Sequence, residues 1–236
     1  MQSKVLHFGA SIKNFEQNQI IIINRRARST LFSKPEREII MKTETHFKLA
    51  IRLCNRCFPS ATAWQKAAFV NGNIMPDINP FSYLRGFTVR PFFGHDWQNS
   101  KGFILSSAEK LVAGKLGFYG LGVFIHYLCD AFTHPHNVGF HGSLREHTVY
   151  EKRLHTCVLQ GGNRFDTEKL NCSLSDFIIS SHQLYEQVAA SLPTDAEFIL
   201  SAVGQVTAVF KANHKLPLGD DRLTELRCAE RYISRP

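Results

Sequence analysis

Between Phe118 and Phe132 the chain reads FYGLGVFIHYLCDAF, apolar at nearly every position. A helix that is hydrophobic all round has no face for solvent and belongs inside a helical core. Within this run stand His126 and Asp130, four residues apart, so as a helix both side chains leave the same face one turn from each other. An imidazole and a carboxylate taken out of water are costly unless something compensates them. One such pair standing alone is more often a core hydrogen bond than a metal site.

The residues that follow shift the balance. Pro135 predicts the end or bend of the helix, and His136 comes just after it. Ser143, Leu144, Arg145 and Glu146 form an S-x-x-E capping box, the mark of a new helix start. That helix carries His147 and Glu151, again four apart, so five candidate ligands fall within 26 residues. All are oxygen or imidazole donors, which suit zinc and its neighbours better than calcium or magnesium.

Three upstream residues carry side chains of the same donor types. Asp77 sits in GNIMPDINP, read as part of a turn-rich loop from Asn71 to Pro80. The apolar Ile74, Met75 and Ile78 around it suggest that the loop tucks the carboxylate inward, where it needs a partner. His95 lies in FGHDW beside Phe92, Phe93 and Trp97, with Asp96 either orienting it or capping a helix. His46 opens an amphipathic helix expected from Thr45 to Cys57.

Other helices are expected over Ser60 to Val70, capped by Ser60, over Lys101 to Leu116, and over Ser175 to Leu192. A last one is read from the Thr194-x-x-Glu197 capping box to about Asn213. No long run alternates in the manner of a strand. The expected fold is all-α, a single-domain multi-helix bundle over residues 41–236 behind a poorly structured extension at 1–40. His134, His141 and His155 do not fit the ligand spacing and are not assigned to metal, and His182 and His214 are read as packed or exposed rather than catalytic.

The pattern H-x3-D-x5-H-x10-H-x3-E, filled by His126, Asp130, His136, His147 and Glu151, resembles the bacterial zinc-dependent phospholipase C family, which shares its fold and zinc cluster with the S1/P1-type nucleases. The resemblance implies a mostly helical domain with two or three zinc ions. In it His126 and Asp130 join Asp77 and His95 on one zinc, Asp130 bridges to a neighbour, and His136, His147 and Glu151 hold another. His46 matches the family's early histidine, and Asp77 takes a proton from the attacking water. The amino-terminal residue that completes the cluster in secreted members has no counterpart among these motifs.

The implied activity is phosphodiester hydrolysis, with a phospholipid headgroup bond as the first expectation. A single-strand nuclease or nucleotidase, or a zinc-stabilised protein without turnover, are the alternatives. Phe92, Phe93 and Phe140 are candidates to line a substrate pocket. A formal net charge of +8 favours anionic partners such as phosphate headgroups, a membrane surface or, under the nuclease reading, nucleic acid. A monomer is expected.

Six cysteines could form three disulfides by number. Without an evident secretory leader they are read as reduced thiols in a cytoplasmic protein. Cys54-x-x-Cys57 lacks the second pair that would make it a zinc knuckle. Hydrophobic residues make up 44% of the 236, enough for one substantial core, and no run of 18 is apolar throughout.

Overall fold

The computed structural model describes residues 34–79, 95–160 and 170–215. Seven α-helices occupy them: α1 Lys34–Cys57, α2 Ala63–Ile78, α3 Trp97–Val112, α4 Phe118–Ala131, α5 Leu144–Gln160, α6 Leu174–Gln187 and α7 Leu192–Asn213. A 3-10 turn, His134–His136, stands between α4 and α5. Among the described residues there is no strand, and the all-α expectation holds. The boundary expected at Met41 falls inside α1, which begins at Lys34.

The apolar run forms α4 as expected, and it lies at the centre of the bundle. Leu121, Phe124, Ile125 and Leu128 are fully buried, with α2 packed closest against it and α3 and α7 on other sides. Two glycines set the α2–α4 distance. A Cβ on Gly72 would stand 2.1 Å from the Tyr119 carbonyl oxygen, and one on Gly122 would stand 2.2 Å from the Phe69 carbonyl oxygen. Only hydrogens fit there, so the two backbones touch. Below the contact, Phe58, Phe69, Phe118 and Phe210 meet edge to face with ring centroids 4.9 to 5.7 Å apart. Such pairs add about 0.5–1.5 kcal/mol each beyond the area they bury.

Several boundaries differ from the sequence reading. The segment from Asn71, expected as a loop, continues α2 as far as Ile78 with Pro76 inside it. Packing against α4 overrides the local preferences of Asn71, Gly72 and Asn73. Thr62, not Ser60, caps this helix, in a reciprocal box with Gln65. Helix α3 starts earlier than Lys101 because Asp96 accepts from the Asn99 N–H at 2.9 Å, and it stops at Val112 before the positive-φ Gly114. Of the two roles considered for Asp96, its contacts make it the cap.

Helix α6 ends at Gln187 rather than Leu192, and α7 starts at Leu192 because Ser191 caps it by accepting from the Thr194 N–H. The box expected at Thr194 and Glu197 therefore lies one turn inside the helix. The Ser143–Glu146 box forms as read, with the Ser143 N–H donating to Glu146 at 2.7 Å.

Candidate metal centre

Helix α4 brings His126 and Asp130 to one buried face. The His126 Nδ1 lies 2.8 Å from the Asn73 carbonyl oxygen on α2. A carbonyl can only accept, so Nδ1 carries the proton. Burial, followed by the charge on His46, depresses the His126 pKa, and the ring is therefore neutral with a bare lone pair at Nε2. That lone pair faces Asp130 Oδ2 at 3.3 Å, Asp77 Oδ1 at 3.8 Å and His95 Nδ1 at 3.2 Å. Electron pairs aimed at carboxylate oxygens repel one another unless a cation sits among them.

Asp130 is the common member. Its Oδ2 is 3.1 Å from His95 Nδ1, while Oδ1 is 3.2 Å from His46 Nε2 and 3.8 Å from His136 Nε2. Burial opposes ionisation of this carboxyl, but His136, His126 and His46 hold it well below the ordinary range. Burial likewise works against a charge on His46, yet Asp130 overrules it and lifts the imidazole to about 9. Asp77, on the last turn of α2, is 2% exposed, and its Oδ2 has no hydrogen-bond partner among the described residues.

The second half of the site is more local. His136 comes from the 3-10 turn and His147 and Glu151 from α5. The two Nε2 atoms lie 2.9 and 2.8 Å from the same Glu151 Oε1 and 3.3 Å from each other. Three sets of donors therefore converge within 4.8 Å: His46, His126 and Asp130; Asp77, His95 and His126; His136, His147 and Glu151. All eight residues singled out from the sequence fall in these sets.

The donors fit zinc. Ligand atoms around a tetrahedral zinc at ~2.0–2.1 Å stand roughly 3.3 Å apart, close to the separations seen here. His46 Nδ1 and Asp77 Oδ2, buried without hydrogen-bond partners, mark a cluster that side chains alone leave incompletely satisfied. The His126–Asn73 bond is of the kind that fixes the tautomer of metal-binding histidines.

A cavity opens on the cluster. His46, Asp77, Asp130, His136 and Glu151 line its polar floor, and Leu49, Leu154, Val158 and Ile199 form an apolar wall. Among the described residues no Phe, Tyr or Trp lines it. Phe140, expected at the pocket, packs its ring near those of His134 and His147 instead. Phe92 and Phe93 lie outside the described residues.

His182 is a core histidine, as read. It is stacked on Trp97 at 3.9 Å and sits 3.1 Å from the Ala131 carbonyl, with burial depressing its pKa to about 4.

Two residues outside these eight stand next to the site: His155, read as non-ligating and absent from the three donor sets, and Asp195, which the sequence reading did not single out. His155, one turn beyond Glu151 on α5, also lines the cavity, and its Nε2 is buried without a hydrogen-bond partner. The i, i+4, i+8 series His147, Glu151 and His155 was the available signal. Asp195 on α7 is wholly buried and accepts from the His134 N–H and from the hydroxyls of Tyr150 and Tyr185. An acid in the first turn of a helix ordinarily serves the helix dipole, and nothing in the sequence marks this one as different.

No helix among the described residues is long and apolar enough to cross a membrane. The family model for zinc-dependent phospholipase C matches residues 45–192, more than half of the chain. No curated protein and no solved structure matches it.

Proposed function

The chain belongs to the zinc-dependent phospholipase C family, and we propose that it hydrolyses a phosphodiester bond of a phospholipid headgroup. The observation that carries this reading is one buried carboxylate, Asp130, placed against imidazoles from both halves of a donor cluster at the floor of an apolar-walled cavity.

The residues that would hold zinc are His46, Asp77, His95, His126 and Asp130 in the inner half and His136, His147 and Glu151 in the outer half. Two or three ions would share them. When bound, zinc lowers the pKa of a coordinated water toward neutrality and neutralises charge on a phosphoryl oxygen.

The chain's own groups do the rest. Asn73 holds the His126 ring so that its Nε2 lone pair faces the cluster. Asp77 offers Oδ2, a buried oxygen with no hydrogen-bond partner, to accept a proton from the attacking water. Leu49, Leu154, Val158 and Ile199 give the apolar part of a lipid a surface that excludes water from the reacting end. A nuclease would call for aromatic platforms on which bases stack, and none is among the described lining residues.

The test is a two-substrate assay on the zinc-loaded protein, scoring headgroup release from phosphatidylcholine dispersions against cleavage of single-stranded DNA. Release of phosphocholine with DNA left intact is expected. DNA cleavage alone would move the assignment to the nuclease reading, and turnover of neither substrate would leave zinc a structural part.

A further inference from the structure

We infer that Asp195 is a positioning residue for the outer half of the metal cluster, holding the turn that carries His136 in register with the helix that carries His147 and Glu151. This rests on the zinc reading above and adds to it a residue three positions beyond the stretch that the family model covers.

Asp195 is 0% exposed and makes three hydrogen bonds, each to a different element. Its Oδ2 accepts from the His134 backbone N–H at 2.8 Å and from the Tyr150 hydroxyl at 2.9 Å, and its Oδ1 accepts from the Tyr185 hydroxyl at 2.8 Å. His134 is the first residue of the 3-10 turn that ends with His136, and Tyr150 directly precedes Glu151 on α5. One carboxylate oxygen therefore ties the backbone of the turn to the side chain next to Glu151 on α5, linking the two elements whose donors must meet at Glu151 Oε1.

The bond to His134 is the decisive one. That N–H comes just after α4 has ended, and a part-buried amide outside the helix ladder is best satisfied by an acceptor from the protein. Asp195 supplies it from α7, a helix that contributes none of the eight donors. Without it the turn is free to settle differently, and the two imidazoles no longer converge on one oxygen. Groups hydrogen-bonded directly to a ligand are worth about 10–100-fold in metal affinity, and Asp195, which acts one step further out through the turn, belongs at the lower end of that range.

The three bonds also predict which substitutions are tolerated. In Asp195→Asn the remaining oxygen can still accept from His134 and Tyr150, while the amide N–H2 donates to the Tyr185 hydroxyl, which is able to accept. In Asp195→Ala all three donors lose their acceptor. Tyr185→Phe removes only the bond to α6, a helix without candidate ligands.

The experiment is competition for zinc against a chromogenic chelator, with full-length wild type and the three variants below their melting temperatures. Asp195→Ala is expected to weaken one zinc equivalent by ~10-fold, the lower end of the range for outer partners, and to leave the other or others in place. Asp195→Asn should restore that affinity, and Tyr185→Phe should lower the melting temperature without changing it. If Asp195→Ala does not fold, Tyr150→Phe replaces it; it cuts the tie to α5 while keeping the bond to His134, and must weaken the same equivalent by a smaller but measurable factor.

Wild-type affinity in the Ala variant, or equal losses in it and in Tyr185→Phe, would overturn the positioning role while leaving the zinc reading intact. A wild type that binds no zinc would overturn both.

Discussion

The two halves of the cluster have the same kinds of donor but very different construction. The inner half draws on α1, α2, the residue before the α3 cap, and α4, and its His46–Asp130 contact spans 84 residues of sequence. The outer half is made by one turn and one helix, with His136 and Glu151 only 15 residues apart. Local spacing sets the outer geometry, whereas the inner geometry depends on how closely α2 and α4 can approach. The halves should therefore fail separately, except where Asp130 joins them.

Asp130→Asn should break the distinction altogether. Removing one partner of a buried ion pair costs about 3–5 kcal/mol, and here the lost charge faces His46, His95, His126 and His136. Hydrolysis should be abolished, the inner zinc lost and the outer zinc weakened, as read by metal analysis and turnover. Retention of full zinc content would contradict the bridging role.

A pH series on the metal-free protein probes the inner half alone. His46 stands at about 9 when folded against an ordinary 6.5, so its contribution is complete below pH 6.5 and is lost as the pH rises through 9. At one pKa unit per 1.36 kcal/mol, the loss is on the order of 3 kcal/mol. Denaturant titrations between pH 6.5 and 9.5 measure it. His46→Gln should flatten the trend, and an unchanged slope in that variant would assign the effect elsewhere.

Gly122→Ala sharpens the comparison by acting on the α2–α4 contact. The added methyl would meet the Phe69 carbonyl at 2.2 Å, an overpacking cost of about 1–3 kcal/mol. As the helices part, Asn73 and Asp77 leave His126, so the inner zinc should weaken while the outer zinc stays. Loss of both together would show that the halves are not independent.

Glu151→Gln should disturb the metal-free fold least, because an oxygen is still present where both imidazoles approach, now on an uncharged amide. Its expected effect is on the outer zinc, one equivalent fewer with the inner half retained, together with a drop in turnover. Native mass spectrometry counts the ions.

The same contrast explains what could be read in advance. His126, Asp130, His136, His147 and Glu151 were legible because helical spacing and a proline fix their relations within a short stretch. Asp77 was picked out for the wrong local structure: Asn71, Gly72, Asn73 and Pro76 look like a loop, and only the contact of Gly72 with the Tyr119 backbone makes them a helix. His46 and His95 came from the family resemblance, and the structure brings both to Asp130. Asp195 was invisible, because its three donors lie 10, 45 and 61 residues away and carry no pattern. All-helical architecture followed from periodicity, but helix ends moved wherever a neighbouring Ser, Thr or Asp gave a better cap.

The most direct test of the central claim is an anomalous difference map at the zinc edge, from crystals of protein purified without chelator. Two or three peaks are predicted among these eight side chains, one of them between His136, His147 and Glu151 and at least one against His126, with Asp130 next to it. A map with no peak there, around imidazoles and carboxylates that keep the same positions, would contradict the account.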